Sequence, residues 1–270
     1  MQIKLISDIG EIRNFIEKIV PKCKLDEVYF CSLSARKKYL TTEERELYQL
    51  SVTEMFNKTI INTQSKNTEF IINKIIELES SANNKLTRNG LHIPQKSLIC
   101  YWNLNPKNST NAYNSFTKIM TDHLIYAIKD EQQLSNFNKS VNILENCFQN
   151  SNGTKHWIDI DIDLTEDGKQ CYNLLKQVVE FLDELDKRKV EYHIIDTKGG
   201  YHILMKRDTI NFNYPALVNL FDFNIKNIAF DEVDNPTKVE IVVNKNEMVP
   251  LPGTFQSNYP VSIIYKSWLL

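Results

Sequence analysis

The stretch "HWIDIDIDL" at residues 156–164 alternates apolar and acidic side chains. Asp159, Asp161 and Asp163 take every second position, with Ile158, Ile160 and Ile162 between them. A period of two is that of a β-strand, whose successive side chains point to opposite faces. The stretch therefore reads as a strand with an isoleucine face on a core and an acidic face turned elsewhere. Asp is depleted in strands, and like charges on one face destabilise them. A half-exposed strand facing only water would more readily use Thr, Lys or mixed charges. Clustered carboxylates stay ionised only beside a partner, and a divalent cation is the obvious one. Mg²⁺ and Mn²⁺ prefer carboxylate oxygens and also hold substrate phosphates. Two such ions can stabilise the attacking and leaving oxygens of an in-line phosphoryl displacement.

The elements around this strand predict a β-α-β-β-α-β order. After the strand at 156–163 comes a helix at 168–188, with Leu174, Leu175, Val178, Val179, Leu182 and Leu185 on one face. A strand at 190–197, a tight "KGG" turn and a strand at 201–206 follow, then a helix near 214–221 and a strand at 238–244. In a ferredoxin-like sheet these strands lie in the order 4-1-3-2. Asp159 and Asp161 would then stand between His202 of the third strand and Glu240 of the fourth. The last segment, "MVPLPGTFQSNYPVSIIYKSW", reads as a Pro-punctuated strand and turn.

The first 150 residues read as a mixed module. Gln2–Ile6 and "EVYFCSL" look like strands, as does "SLICYWNL". Helices are expected from Asp8, from Thr41 (with Glu44 forming a capping box), over "NTEFIINKIIELES", and over 110–129 and 131–148. "NSNGT" at 150–154 looks like a linker. The fold class expected is α+β, with an N-terminal α/β module over 1–150 and an RRM-like palm over 151–270, packed as one integrated domain.

Composition narrows the class. The chain has 270 residues, 42% hydrophobic and 24% charged, with a net charge of −2. A nucleic-acid binder of this charge must concentrate its cations in one groove. The densest basic run is Arg36, Lys37 and Lys38 in "SARKKYL". The five cysteines are scattered without a CxxC pair, which suits small core residues in a reducing compartment. The opening residues do not read as a signal peptide, and no apolar run approaches the ~20 residues of a membrane span. A cytoplasmic protein is expected, in a bacterial, viral or mobile-element setting.

Three motifs resemble the archaeo-eukaryotic primase superfamily, which includes the primase small subunit and the primase-polymerases. "WIDID" matches its hhDhD strand with Asp159 and Asp161. "TKGGYHIL" matches its Ser/Gly/His turn and strand, with Thr197 and His202. "VEIVV…VPLPGTFQ" matches its single-acid strand and "LPGS" segment, with Glu240 and residues 251–254. The resemblance covers about 157–256 and implies template-dependent nucleotidyl transfer. Asp159, Asp161 and Glu240 would hold two Mg²⁺ or Mn²⁺ ions, with His202 also catalytic. Thr197, Lys198, Gly199, Gly200, His202 and Lys245 would bind the nucleoside triphosphate; glycines let backbone N–H groups approach phosphate. Arg36, Lys37 and Lys38 would contact nucleic acid or, with Lys245, meet the charge of the triphosphate. Single-stranded DNA template and primer are the implied partners, with a helicase or other replication protein beside them. Two departures stand out. Glu247, Pro250, Gln256 and Asn258 stand around the "LPG" segment, where the family usually has basic residues just before and after, and the zinc motif of many primases is missing.

Two rival readings remain open at this level. "IDIDLTEDG" also fits the DxDx(T/V) motif of haloacid-dehalogenase-type phosphatases, with Asp161 as nucleophile and Asp163 as acid/base; no downstream acidic pair accompanies it. The other rival is a primase-like domain that has lost catalysis and kept nucleic-acid binding. Asp159 separates polymerase from phosphatase, because only the first needs it.

Overall fold

In the computed structural model, the residues described are 3–64, 67–85, 87–88, 91–129, 140–164, 175–176, 178–180, 183, 190–210, 239–244 and 248–265. The first sheet grows from "EVYFCSLSAR", β1 (Glu27–Arg36), a buried central strand. It pairs antiparallel with β2 (Thr53–Ile61) on one side and β5 (Leu98–Asn103) on the other. Helix α1 (Ile9–Lys18) starts where the Asp8 side chain accepts the N–H groups of Gly10 and Glu11, and buries Ile12, Phe15 and Ile16. Helix α2 (Thr42–Tyr48) carries the expected capping box of Thr41 and Glu44. Helix α3 (Thr68–Lys85), the short pair β3 (Thr87–Arg88) and β4 (Leu91–His92), and β6 (Lys107–Asn108), which extends the sheet beside β1, come next. Helices α4 (Ser109–Lys129) and α5 (Ser140–Asn150) pack on each other.

The second sheet is built from β7 (Trp157–Leu164), β8 (Tyr192–Thr197), β9 (Gly200–Lys206) and β10 (Val239–Asn244). Its order is β10-β7-β9-β8, every neighbour antiparallel, and β14 (Ser262–Ile264) adds to the β8 edge. The alternation of β7 works as the sequence demands. Ile160 and Ile162 are fully buried with Leu175, Val178 and Val179, which lie in helical backbone within the predicted 168–188 helix. The rest of that helix, and all of the helix expected near 214–221, lie outside the described residues.

Three local expectations are corrected. The strand expected over residues 2–6 reduces to a single bridge between Ile6 and Thr254. The Leu5 and Ile6 N–H groups are taken by the Glu79 carboxylate at 2.6 and 2.7 Å, which leaves them unavailable to a ladder. Strand β2 has no counterpart in the sequence reading; it is a sheet edge with several exposed positions, so its apolar signal is weak. "NSNGT" is pinned rather than loose: Ser151 closes α5 by donating to the Phe148 carbonyl at 2.9 Å, and Thr154 donates twice to the buried Glu27 carboxylate at 2.6 Å.

The two halves of the chain interlock. From the far end, β11 (Met248–Pro250) joins the first sheet beside β5. The hairpin of β12 (Phe255–Gln256) and β13 (Tyr259–Pro260) follows, turned by Ser257 and Asn258 at φ 52° and 66°. Below the acidic row, Trp157, Ile195, Leu204 and Ile263 enter the same core as Phe15, Tyr29 and Trp102. Asn105 fixes that junction, accepting from the His156 and Trp157 N–H groups and donating to the Trp157 carbonyl. Cys23, Cys31, Cys100 and Cys147 are buried free thiols; Cys171 lies outside the described residues.

Candidate functional site

The acidic row of β7 runs from solvent into the core. Side-chain exposure falls from 41% at Asp163 to 26% at Asp161 and 1% at Asp159. Register decides who meets whom. Asp161 lies opposite His202 of β9, and Asp163 lies opposite Gly200. On the other side Glu240 of β10 lies opposite Asp163, while Asn244 lies opposite Asp159. Position 240 therefore falls in the same cross-strand row as Asp163 and Gly200.

A cleft of about 580 Å³ opens in front of this row. One wall comes from the second sheet: Asp161, Asp163, Thr197 and His202. The other comes from alternate positions of β1, namely Ser32, Ser34 and Arg36, with Tyr101 and Asn103 from β5 and Lys58 from β2. Asp159 does not line it. Its carboxylate is turned to His202, whose Nδ1 lies 3.1 and 3.2 Å from the two oxygens. The other ring nitrogen, Nε2, is 3.7 Å from Asp161 Oδ1.

The electrostatics follow from burial and neighbours. Burial opposes the charged form of His202, but Asp159 and Asp161 outweigh it and raise the imidazole to about 9. It is a cation at neutral pH, tethered to the row. Burial lifts Asp161 to about 6, and Asp163 and Asp159 add to this against the pull of His202 and Lys38. The three carboxylates of the row outnumber the two described cations within 4 Å of them. The described cations nearest them are His202 and Lys38, whose Nζ stands 3.7 Å from Asp163 Oδ1.

The Thr197–Gly200 turn is built tightly. Thr197 Oγ1 donates to the Gly200 carbonyl at 3.0 Å. Gly200 has φ +150°, and a Cβ there would collide with the Ile162 carbonyl of β7. A Cβ on Gly199 would meet Asp163 Oδ1 at 2.9 Å. Lys198 points away from the row: its N–H donates to Gln256 Oε1 at 2.9 Å and its Nζ to Ser257 Oγ at 2.6 Å. Gln256 in turn donates through Nε2 to the Tyr39 hydroxyl at 2.7 Å.

The expected basic run divides. Arg36 lines the cleft against Tyr101, Lys38 reaches Asp163, and Lys37 is exposed and does not line the cleft. Lys245 lies outside the described residues, and of Glu240 only the backbone position is described. Sequence reasoning missed Ser32 and Lys58. Ser32 Oγ, Asn103 Oδ1 and Arg36 Nε are buried without a hydrogen-bond partner among the described residues, all along the first-sheet wall. Small polar residues at alternate positions of an otherwise apolar β1 are the signal that could have found this wall.

Asp161 and Asp163 fit a hard divalent cation: their oxygens border the cleft, and a lysine ammonium already stands against one of them. Among the described residues, no three His, Cys, Asp or Glu side chains form a complete metal group. No protein-family model, curated protein or solved structure matches the chain.

Proposed function

We propose that the chain is a template-dependent nucleotidyltransferase of the primase-polymerase type, working on a ferredoxin-like palm. The observation that carries this reading is the cleft-facing row of β7, with Asp161 beside His202 on one neighbour and Asp163 opposite position 240 on the other. The strand order β10-β7-β9-β8 is the 4-1-3-2 order of such a palm. The register of the motif shifts by two residues from the sequence reading. Asp161 and Asp163, with Glu240, are the residues that would hold Mg²⁺ or Mn²⁺, and Asp159 serves by holding His202. When bound, the ions supply charge neutralisation at the attacking and leaving oxygens.

The chain's own groups do the rest. His202, charged and anchored by Asp159, meets a phosphate oxygen at the inner end of the row. The Thr197–Gly200 backbone, kept open by two glycines, lets the triphosphate lie close. Arg36, Ser32 and Asn103 present a polar wall opposite, where primer and single-stranded DNA template would lie. A helicase or other replication protein stands as a further partner of such an enzyme. No helix among the described residues is long and apolar enough to cross a membrane.

The phosphatase reading uses the same Asp161–Asp163 pair, but it places its nucleophile in a parallel sheet. Every pairing among the described strands is antiparallel, which counts against it. The binding-module reading draws on Gln256 and Ser257, which occupy Lys198 instead of offering charge to phosphate. Incubation with a primed single-stranded template, labelled nucleotides and Mn²⁺ separates the three. Template-directed extension is expected. Binding without extension by ribo- or deoxynucleotides would leave the module reading, and release of inorganic phosphate from a small ester would restore the phosphatase.

A further inference from the structure

The family resemblance leaves the charge of the triphosphate unmatched, because the cations usual around "LPG" are replaced here by Gln256 and Asn258. Lys198 does not replace them. Its ammonium is spent on Ser257 Oγ and lies over the Tyr39 ring at 4.9 Å.

Lys38 comes from the other half of the chain and occupies the open spot. Its Nζ is 3.6 Å from where a Cβ on Gly199 would stand, so it sits directly above the turn. Its bond to Asp163 is long, 3.7 Å, and both side chains are about 40% exposed. A stretched, half-exposed ion pair of this kind is worth ~0–1 kcal/mol, so exchange for another anion costs little. The backbone beneath it does not share that freedom. Arg45 Nε donates to the Lys37 and Leu40 carbonyls at 3.2 and 3.0 Å, and Arg45 Nη2 donates to the Lys38 carbonyl at 3.3 Å. A flexible four-carbon arm is thus mounted on a fixed turn at the rim of the cleft.

We propose that Lys38 is the triphosphate-binding cation of this site, held on Asp163 in the empty protein and handed to the outer phosphates of a nucleoside triphosphate. The proposal rests on the nucleotidyltransferase reading above and narrows the basic run, open between a nucleic-acid and a phosphate contact, to one residue with a nucleotide contact. Asp163 then has a reason to sit at the exposed end of the row: it parks the lysine until a bound cation takes over the carboxylate.

The test is a binding titration with the full chain, Mn²⁺ and a primer–template whose primer ends in a dideoxynucleotide and whose next template base is dT. The ligands are dATP and dAMP. Lys38→Met is expected to weaken dATP binding by about tenfold or more, the worth of a charge-assisted hydrogen bond, and to leave dAMP within about twofold. Lys38→Arg should keep most of the dATP affinity. Gly199→Ala, whose methyl would displace Asp163 Oδ1 and stand in contact with Lys38 Nζ, should weaken dATP selectively and serves if the first variant fails to fold. Unchanged dATP binding by Lys38→Met overturns the proposal, as does an equal loss of dATP and dAMP. If the unaltered chain binds neither nucleotide, the nucleotidyltransferase reading itself falls, an outcome distinct from either.

Discussion

Each aspartate of β7 sits at a different depth. Asp163 and Asp161 border the cleft, and Asp159 is sealed against His202. Asp161→Asn and Asp163→Asn should each lower nucleotide incorporation by about a thousandfold, as expected for lost charge stabilisation at a reacting phosphate. Asp159→Asn should cost only about 10–100-fold, the usual scale for a residue that orients another. Its clearer signature is on the imidazole: the His202 value near 9 should fall in an NMR titration, because its main counter-charge is gone. The sign for stability follows. His202 is raised above its unfolded value of ~6.5, so its contribution is complete below about pH 6.5 and is lost as pH rises through about 9. The three alternating acids made this row legible in the sequence. Which two face the cleft was not, because alternation gives the face of a strand and says nothing of how far along it the core begins. Trp157 and Leu204 set that boundary, and they come from different strands.

The turns and junctions between elements hold the row in place. Gly200→Ala should destabilise the protein by about 2–4 kcal/mol, since the new methyl runs into the Ile162 carbonyl at a positive φ; chemical denaturation measures it. Glu27, at the start of β1, is 2% exposed and ties the 150–154 segment down. Burial pushes its carboxyl up, yet the hydrogen bonds from Thr154 and Lys24 more than offset this and hold it below the ordinary value of 4.5. The stability it adds is therefore present at neutral pH and is lost as pH falls through its lowered value. Glu27→Gln should cost about 2 kcal/mol at pH 7, and the loss should shrink in acid unfolding curves below about pH 4. Helices α1, α2 and α4 were readable from caps and periodicity. The edge strand β2 and the pinned "NSNGT" were not, because one lacks a continuous apolar face and the other owes its order to a glutamate more than 120 positions away.

Across the whole molecule the chain is laced rather than divided. Residues 248–250 complete the first sheet, Ile6 bridges Thr254, and the Ser7 and Asp8 N–H groups donate to the Gly253 carbonyl. Nothing in the local pattern of "MVPLPGTFQ" reveals that its first strand pairs in a distant sheet, which is why a boundary at 150 looked natural. A fragment of residues 151–270 should consequently fail to fold alone, because Val249, Leu251, Val261 and Ile263 would lose the core they share with α1 and β1. Circular dichroism and thermal melting of that fragment check this; a cooperative transition would show that the fragment folds independently. The same lacing builds the cleft, with carboxylates from one sheet facing Arg36, Ser32 and Asn103 from the other. The most direct measurement is anomalous diffraction from crystals soaked with Mn²⁺ and a nucleoside triphosphate. Manganese bound by Asp161 and Asp163, with the triphosphate over the Thr197–Gly200 turn, is the expected result; manganese elsewhere, or a cleft that takes neither ligand, would contradict the assignment.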